Sequence, residues 1–482
     1  MKQAAHIRWN SFFSLLSAGI QLLTNALLFL GVARFYGPEV FGQFATAHLL
    51  TALFLTVADF GLDVLLTTEV ARQRSNANHL LRRFFSAKLL LSGLAVLGMC
   101  GVAFVPDFSA GTRRLIYIFS LSVAFTALTN FFFALFKGFE QLQHQTRIAF
   151  VQNVTLLLAL IVLGFFTAPI EMFAAVYTGT RLLGFCVAAI TAKSLVRLPT
   201  FTINIAESKK VMGQVWSFGV HLVCSMIFFQ LDTFLLSLWK GDYAVGIYQS
   251  VIKLVGLLLV LPDVIINALL PVLSRFHGEA RAKWEQLGKL LNKTLLLLAL
   301  PIALAFFVYA DRLIPILYGA EKFAAAVPIM RAAALIIVIR FVLETYSVML
   351  LTAGRQLIRM IIAIIVTVAA LALNVYVIPT YGAYGAVWVA ILTNLFLALS
   401  LMLALRPLFL QWTFDWHYLA PILATIVLSA ILWKTVSIRY GLPLAFVIHG
   451  WVVFFLGYTK AERQMIFSRT SAGSTAVRPN VP

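Results

Sequence analysis

A membrane-spanning helix needs about 20 consecutive, mostly apolar residues, and this chain carries about fourteen such runs between residues 11 and 458. Each run lying in lipid must satisfy its own backbone N–H and C=O groups, which leaves the α-helix as its only open-ended solution. The expectation is an all-α, polytopic membrane protein of about 14 transmembrane helices. The composition agrees, at 61% hydrophobic, 11% charged and a mean hydropathy of +0.94. The first run is too long for the apolar core of a cleaved signal, and a second follows at once, so it counts as span 1.

A formal charge of +19 would suggest nucleic acid in a soluble chain. Position decides otherwise. With the N-terminus cytoplasmic, the loops on that side hold 25 of the 37 Lys and Arg, and the opposite loops hold 8. That bias is the positive-inside rule, so both termini are expected in the cytoplasm and no nucleic-acid partner is needed. Cys100, Cys186 and Cys224 sit inside apolar runs, and the histidines form no metal-ligating spacing. The sequence asks for no cofactor and no metal.

The segment from Tyr36 repeats from Lys240 at a constant offset of 204 residues. Gly37 meets Gly241, Gly42 meets Gly246, Asp59 meets Asp263 and Asp63 meets Asn267. The offset covers six spans, an even number, so the copies run in the same direction and relate through an axis along the membrane normal. The expected organisation is a six-helix bundle over 1–195, a cytoplasmic linker at 196–210, a second bundle over 211–406, two extra helices within 407–458, and a disordered tail at 459–482. A parallel duplication suits alternating access around a central site.

Several segments carry a family resemblance: "ARFYGPEVFGQFATA", "VADFGLDVLLTTEVAR", "FQLDTFLLS", "LYGAEKFAAAVPIMRAAA" and "LNVYVIPTYGAYGAVWVAILTNL". In this order the chain resembles the polysaccharide transport family of Wzx-type flippases, in the superfamily that also holds lipid II flippases and multidrug and toxin extrusion transporters. The resemblance implies a V-shaped pair of bundles that moves an undecaprenyl-pyrophosphate-linked oligosaccharide to the periplasmic leaflet, working beside a polysaccharide polymerase and chain-length machinery. It also implies a cationic cavity lined by spans 1, 2, 7 and 8.

Charges inside spans are costly and mark function by default. Four basic residues fall there: Arg181, Lys253, Arg331 and Arg340. Lys253 lies about 15 Å along span 8 at 1.5 Å per residue. It can contact cargo, or it can neutralise Asp232 on span 7 at nearly the same depth. Asp232 is also the candidate for ion coupling. Arg181 can line the cavity or bond within its own bundle, span 6 being expected at the periphery. Arg340 can bind cargo or pair with Glu344 at i+4, and Arg34 at the outer end of span 1 can receive cargo phosphate or meet headgroups. Asp59 and Asp63, with their repeat partners Asp263 and Asn267, fall at the cytoplasmic ends of their spans, where they can form an inner gate paired with loop cations such as Arg72, Arg147 or Arg355, or serve as static end caps. A membrane-embedded polymerase or glycosyltransferase, and a multidrug exporter of the same fold, remain the competing functions. The first lacks a large extramembrane loop for catalytic groups, and the second wants acid in its cavity rather than Lys and Arg.

Overall fold

The computed structural model describes residues 2–166, 168–197, 204–319, 321–409, 423–424, 427, 438–459 and 462–463. Among them the regular structure is helical throughout. Ten helical stretches are long and apolar enough to cross a membrane, which makes this a multi-pass membrane protein. Most of the expected span at 417–434, residues 198–203 of the linker and most of the tail lie outside the described residues.

Spans 1 to 6 appear as α1 (Lys2–Tyr36), α2 (Pro38–Asp59) with α3 (Leu62–Arg72), α4 (Ala77–Val102), α5 (Ala110–Gly138), α6 (Leu142–Phe165) and α7 (Ile170–Ala192). Then follow α8 (Ile205–Trp239), α9 (Gly241–Leu258), α10 (Val260–Glu279), α11 (Arg281–Val308), the short α12 (Ala310–Tyr318) and α13 (Ala326–Thr352). Helix α14 (Gln356–Phe409) holds two expected spans, joined across Gly382 at φ 57°, ψ −138°. Helix α15 (Ile438–Val452) is the last one described at length.

Local sequence sets the boundaries. Pro38 opens α2, where its missing N–H costs nothing, and Gly37 before it takes φ 82°. Ser109 caps α5 by accepting from the Thr112 N–H at 3.1 Å. Asn204 does the same for α8, accepting from the Glu207 N–H at 3.2 Å.

The chain packs as two compact units that do not follow the halves of the repeat. One comprises Met1–Leu257, Ile314–Ile329 and Thr367–Val389, and the other Leu258–Leu313, Met330–Val366 and Ala390–Pro482. The first has an aromatic core of Phe84, Phe85, Phe131, Phe132 and Phe136. In lipid, where apolar burial no longer drives helices together, close packing must hold such a core.

Within the first unit, α2 and α9 cross in backbone contact. A Cβ on Gly42 would lie 1.8 Å from the Asp242 carbonyl oxygen, and one on Gly246 would lie 1.8 Å from that of Pro38. The repeat-related glycines therefore face each other, and only a residue without a side chain fits at either place. Around the crossing, the Asp242 carboxylate accepts from Ser109 Oγ at 2.5 Å and Thr112 Oγ1 at 2.7 Å. Arg34 Nη1 donates to the Ile316 carbonyl at 2.9 Å, and Phe41 meets Phe323 edge-on with ring centroids 6.4 Å apart.

Candidate functional site

Helices α1, α2, α7 and α9 of the first unit bring a group of cations onto an aromatic wall. Lys253 Nζ lies over the Phe29 ring, 4.4 Å from its centroid. The Arg181 guanidinium lies over Tyr177 at 4.5 Å. Between them, the His48 ring contacts Phe29 at 5.1 Å, Phe44 at 6.0 Å and Tyr177 at 6.2 Å, and the charges of both Lys253 and Arg181 act on it. Neither cation has a carboxylate partner among the described residues, and Arg181 Nε is buried without a hydrogen-bond acceptor. Cation–π contacts offset part of the cost of taking these charges out of water. They leave the N–H donors free for an anion.

Two expectations change here. Span 6 is not peripheral to this group, since α7 carries Arg181 to His48. The ion pair weighed between Lys253 and Asp232 is not formed among the described residues. Asp232 instead accepts from the Tyr248 hydroxyl, from the Thr233 N–H at 2.7 Å and from Thr233 Oγ1 at 3.3 Å. Gln249 Nε2 extends this network to Thr233 Oγ1 at 2.6 Å. Equal depth brought Asp232 and Lys253 level, but the two side chains leave their helices in different directions, a matter depth alone leaves open.

The gate carboxylates also find a different partner. Lys88 of α4, whose side chain is 0% exposed, lies 3.3 Å from Asp59 Oδ1 and 2.9 Å from Asp63 Oδ1. Two of the three loop cations named for that role have other partners: Arg72 lies 3.9 Å from Glu69, and Arg355 Nη1 donates to the Ala404 carbonyl at 3.3 Å. Lys88 stands at the edge of an apolar run, next to the loop cations Arg82 and Arg83, but α4 takes it inside the helix and buries it. In the second unit, Asp263 and Asn267 are exposed on α10. Arg340 lies 3.5 Å from Glu344 as the i+4 spacing suggested, and its charge also acts on Asp263. Arg34, exposed at the end of α1, gives one of its N–H donors to the Ile316 carbonyl.

The model of the polysaccharide biosynthesis protein family matches residues 7–277, more than half of the chain. The chain belongs to this family. A MatE model matches residues 218–376. Over 260 residues it is 26% identical to a Shigella dysenteriae protein named as an O-antigen transporter, in an alignment covering 51% of this chain and 62% of that one. The match thus takes in less than two thirds of that relative. Among solved structures, the fold is similar to the lipid II flippase MurJ in its inward closed conformation, with a TM-score of 0.73 and 14% identity over 95% of this chain and 98% of the other. It is also similar to an inward-facing multidrug resistance transporter of the MATE family, with a TM-score of 0.64 and 16% identity over 82% and 97%. At such identities the likeness speaks for the fold.

Proposed function

We propose that this chain is a flippase that carries an undecaprenyl-pyrophosphate-linked oligosaccharide, an O-antigen or exopolysaccharide repeat unit, from the cytoplasmic to the periplasmic leaflet by alternating access. The observation that carries the reading is the pair of cations without carboxylate partners, Arg181 and Lys253, on a wall of Phe29, His48 and Tyr177. A pyrophosphate leaving water needs positive charge and N–H donors, and this group supplies both. A cation exporter would need the opposite sign. The family and the O-antigen transporter among its relatives support the same cargo class.

In this reading the halves 1–195 and 211–406 are two bundles that rock about the site, both termini lie in the cytoplasm, and the membrane is the bacterial inner membrane. Asp232, which meets neutral donors alone, is assigned to ion coupling through protonation. Asp263 and Asn267 are assigned to the inner mouth, with Arg340 beside them. A polymerase and chain-length machinery would take the delivered unit.

The test is a deletion strain. Surface polysaccharide should be lost while the lipid-linked unit accumulates facing the cytoplasm. Single repeat units arriving at the surface unpolymerised would identify a polymerase instead, and intact glycan with altered drug resistance would identify a multidrug exporter.

A further inference from the structure

Span 2 is broken. Helix α2 ends at Asp59, Phe60 takes φ 47°, ψ 23°, Gly61 takes φ 87°, ψ 4°, and α3 begins at Leu62. Glycine adopts the left-handed region freely, but a bulky residue does so only where its surroundings force it. Three contacts do the forcing. The Phe60 N–H bonds to the Thr56 carbonyl at 2.8 Å, closing α2. Asp59 Oδ1 accepts from the Asp63 N–H at 3.1 Å, so the last residue of one helix caps the first turn of the next. Lys88 then joins both carboxylates from α4.

The bend reaches a neighbouring helix. The Phe60 ring fills the place beside Gly219 of α8, where a Cβ would sit 2.1 Å from Phe60 Cδ1, and it lies 5.9 Å from the Trp216 ring. Helix α8 also carries Asp232. A permanent kink needs only glycine or proline, whereas a buried ammonium and two carboxylates are costly to keep and lose much if one member goes. The second copy of the repeat lacks the device. The offset of 204 puts Asp263, Asn267 and Asn292 where the first copy has Asp59, Asp63 and Lys88, and the corresponding break has moved to Leu259, between α9 and α10.

We propose that Phe60 and Gly61 form a hinge in span 2, and that Lys88 is the clasp whose release lets α3 swing while the Phe60 ring passes the motion to α8. The proposal goes beyond the cargo reading and is tested without transport. In the full chain, with Cys100, Cys186 and Cys224 replaced by serine and the protein in lipid nanodiscs, hydrogen exchange is measured over residues 60–72. Spin labels at Val64→Cys and Leu121→Cys report the position of α3 against α5. The neutral triple variant Asp59→Asn, Asp63→Asn, Lys88→Gln should exchange at least tenfold faster over 60–72, keep its α5 protection and gain a second label distance. Reversing the pair, with Asp63→Lys and Lys88→Asp, should restore slow exchange and one distance. A folded neutral variant with parental exchange and a single distance overturns the clasp. Should the triple variant not fold, Asp59→Asn alone, which keeps the capping oxygen but removes one of the two ion pairs of the clasp, should still speed exchange over 60–72 by a smaller factor; parental exchange there overturns the proposal equally.

Discussion

Gly246→Ala tests whether the α2–α9 crossing holds the expected outer end closed. The new Cβ would stand 1.8 Å from the Pro38 carbonyl oxygen, where ordinary contact begins at 3.4 Å, so the helices must part locally by the difference, 1.6 Å. The obstacle is backbone, which cannot rotate aside as a side chain would. Overpacking of this kind costs about 1–3 kcal/mol. If the cost falls on the closed form alone, the closed-to-open ratio drops by about 5- to 150-fold. The assay uses Ala326→Cys, a fully buried position one turn beyond Phe323, in a protein without its native cysteines. A membrane-impermeant thiol reagent should label it faster by that factor in the Gly246→Ala background, and Gly42→Ala should behave alike. Parental labelling rates in both folded variants would refute the reasoning, because the crossing would then have tolerated a clash it has no room for.

Lys253→Gln and Arg181→Gln should each weaken binding of the lipid-linked glycan by about 10- to 100-fold, the worth of a hydrogen bond to a charged group at about 1.5–3 kcal/mol, while Lys253→Arg retains most of it. Adding Asp232→Asn to Lys253→Gln should not rescue transport, and restored surface glycan in that double variant would mean that the two charges pair after all. Burial raises the Glu462 carboxyl, but the Thr459 N–H at 2.8 Å and Lys293 at 3.0 Å outweigh it and hold the group below its ordinary value of 4.5. Its contribution is therefore present in full above pH 4.5 and fades as the pH falls through the lowered value. The Tm difference between the parent and Glu462→Gln should be flat from pH 7 to pH 5 and shrink below about 4.5; a gap that widens in acid would reverse the assignment. Reporter fusions within 311–323 should read periplasmic and those after Trp412 and in the tail cytoplasmic, whereas a periplasmic tail would mean that the count of spans is off by an odd number.

What could be read in advance follows from which physical signals are one-dimensional. Spans 1 to 6 were legible because hydrophobic length is a property of the chain itself. The glycine pairs were legible as a match at offset 204, though not as a contact. Arg340 with Glu344 was legible from helical spacing, and Tyr177 before Arg181 offered the same i+4 signal for their cation–π contact. His48 gave no such sign, since its partners come from α1, α2, α7 and α9 and a lone histidine on an apolar helix is usually packing. Lys88 was hidden by its place at the edge of an apolar run, where a lysine reads as a loop residue. Asp232 and Lys253 agreed in depth but not in the direction around the helix, and no offset in sequence fixes how two neighbouring helices are rotated.

The crossing of α2 and α9 has the form of a two-fold interface within one polypeptide. Gly42 meets the carbonyl of Asp242, Gly246 meets that of Pro38, and residues 38 and 242 are themselves 204 apart. Each side thus presents the same patch to the other, as in an isologous dimer. A chain cut within 198–203 and expressed as two fragments would still have this one self-complementary surface through which the halves can meet. At that axis any side chain added to either half is met by the backbone of the other.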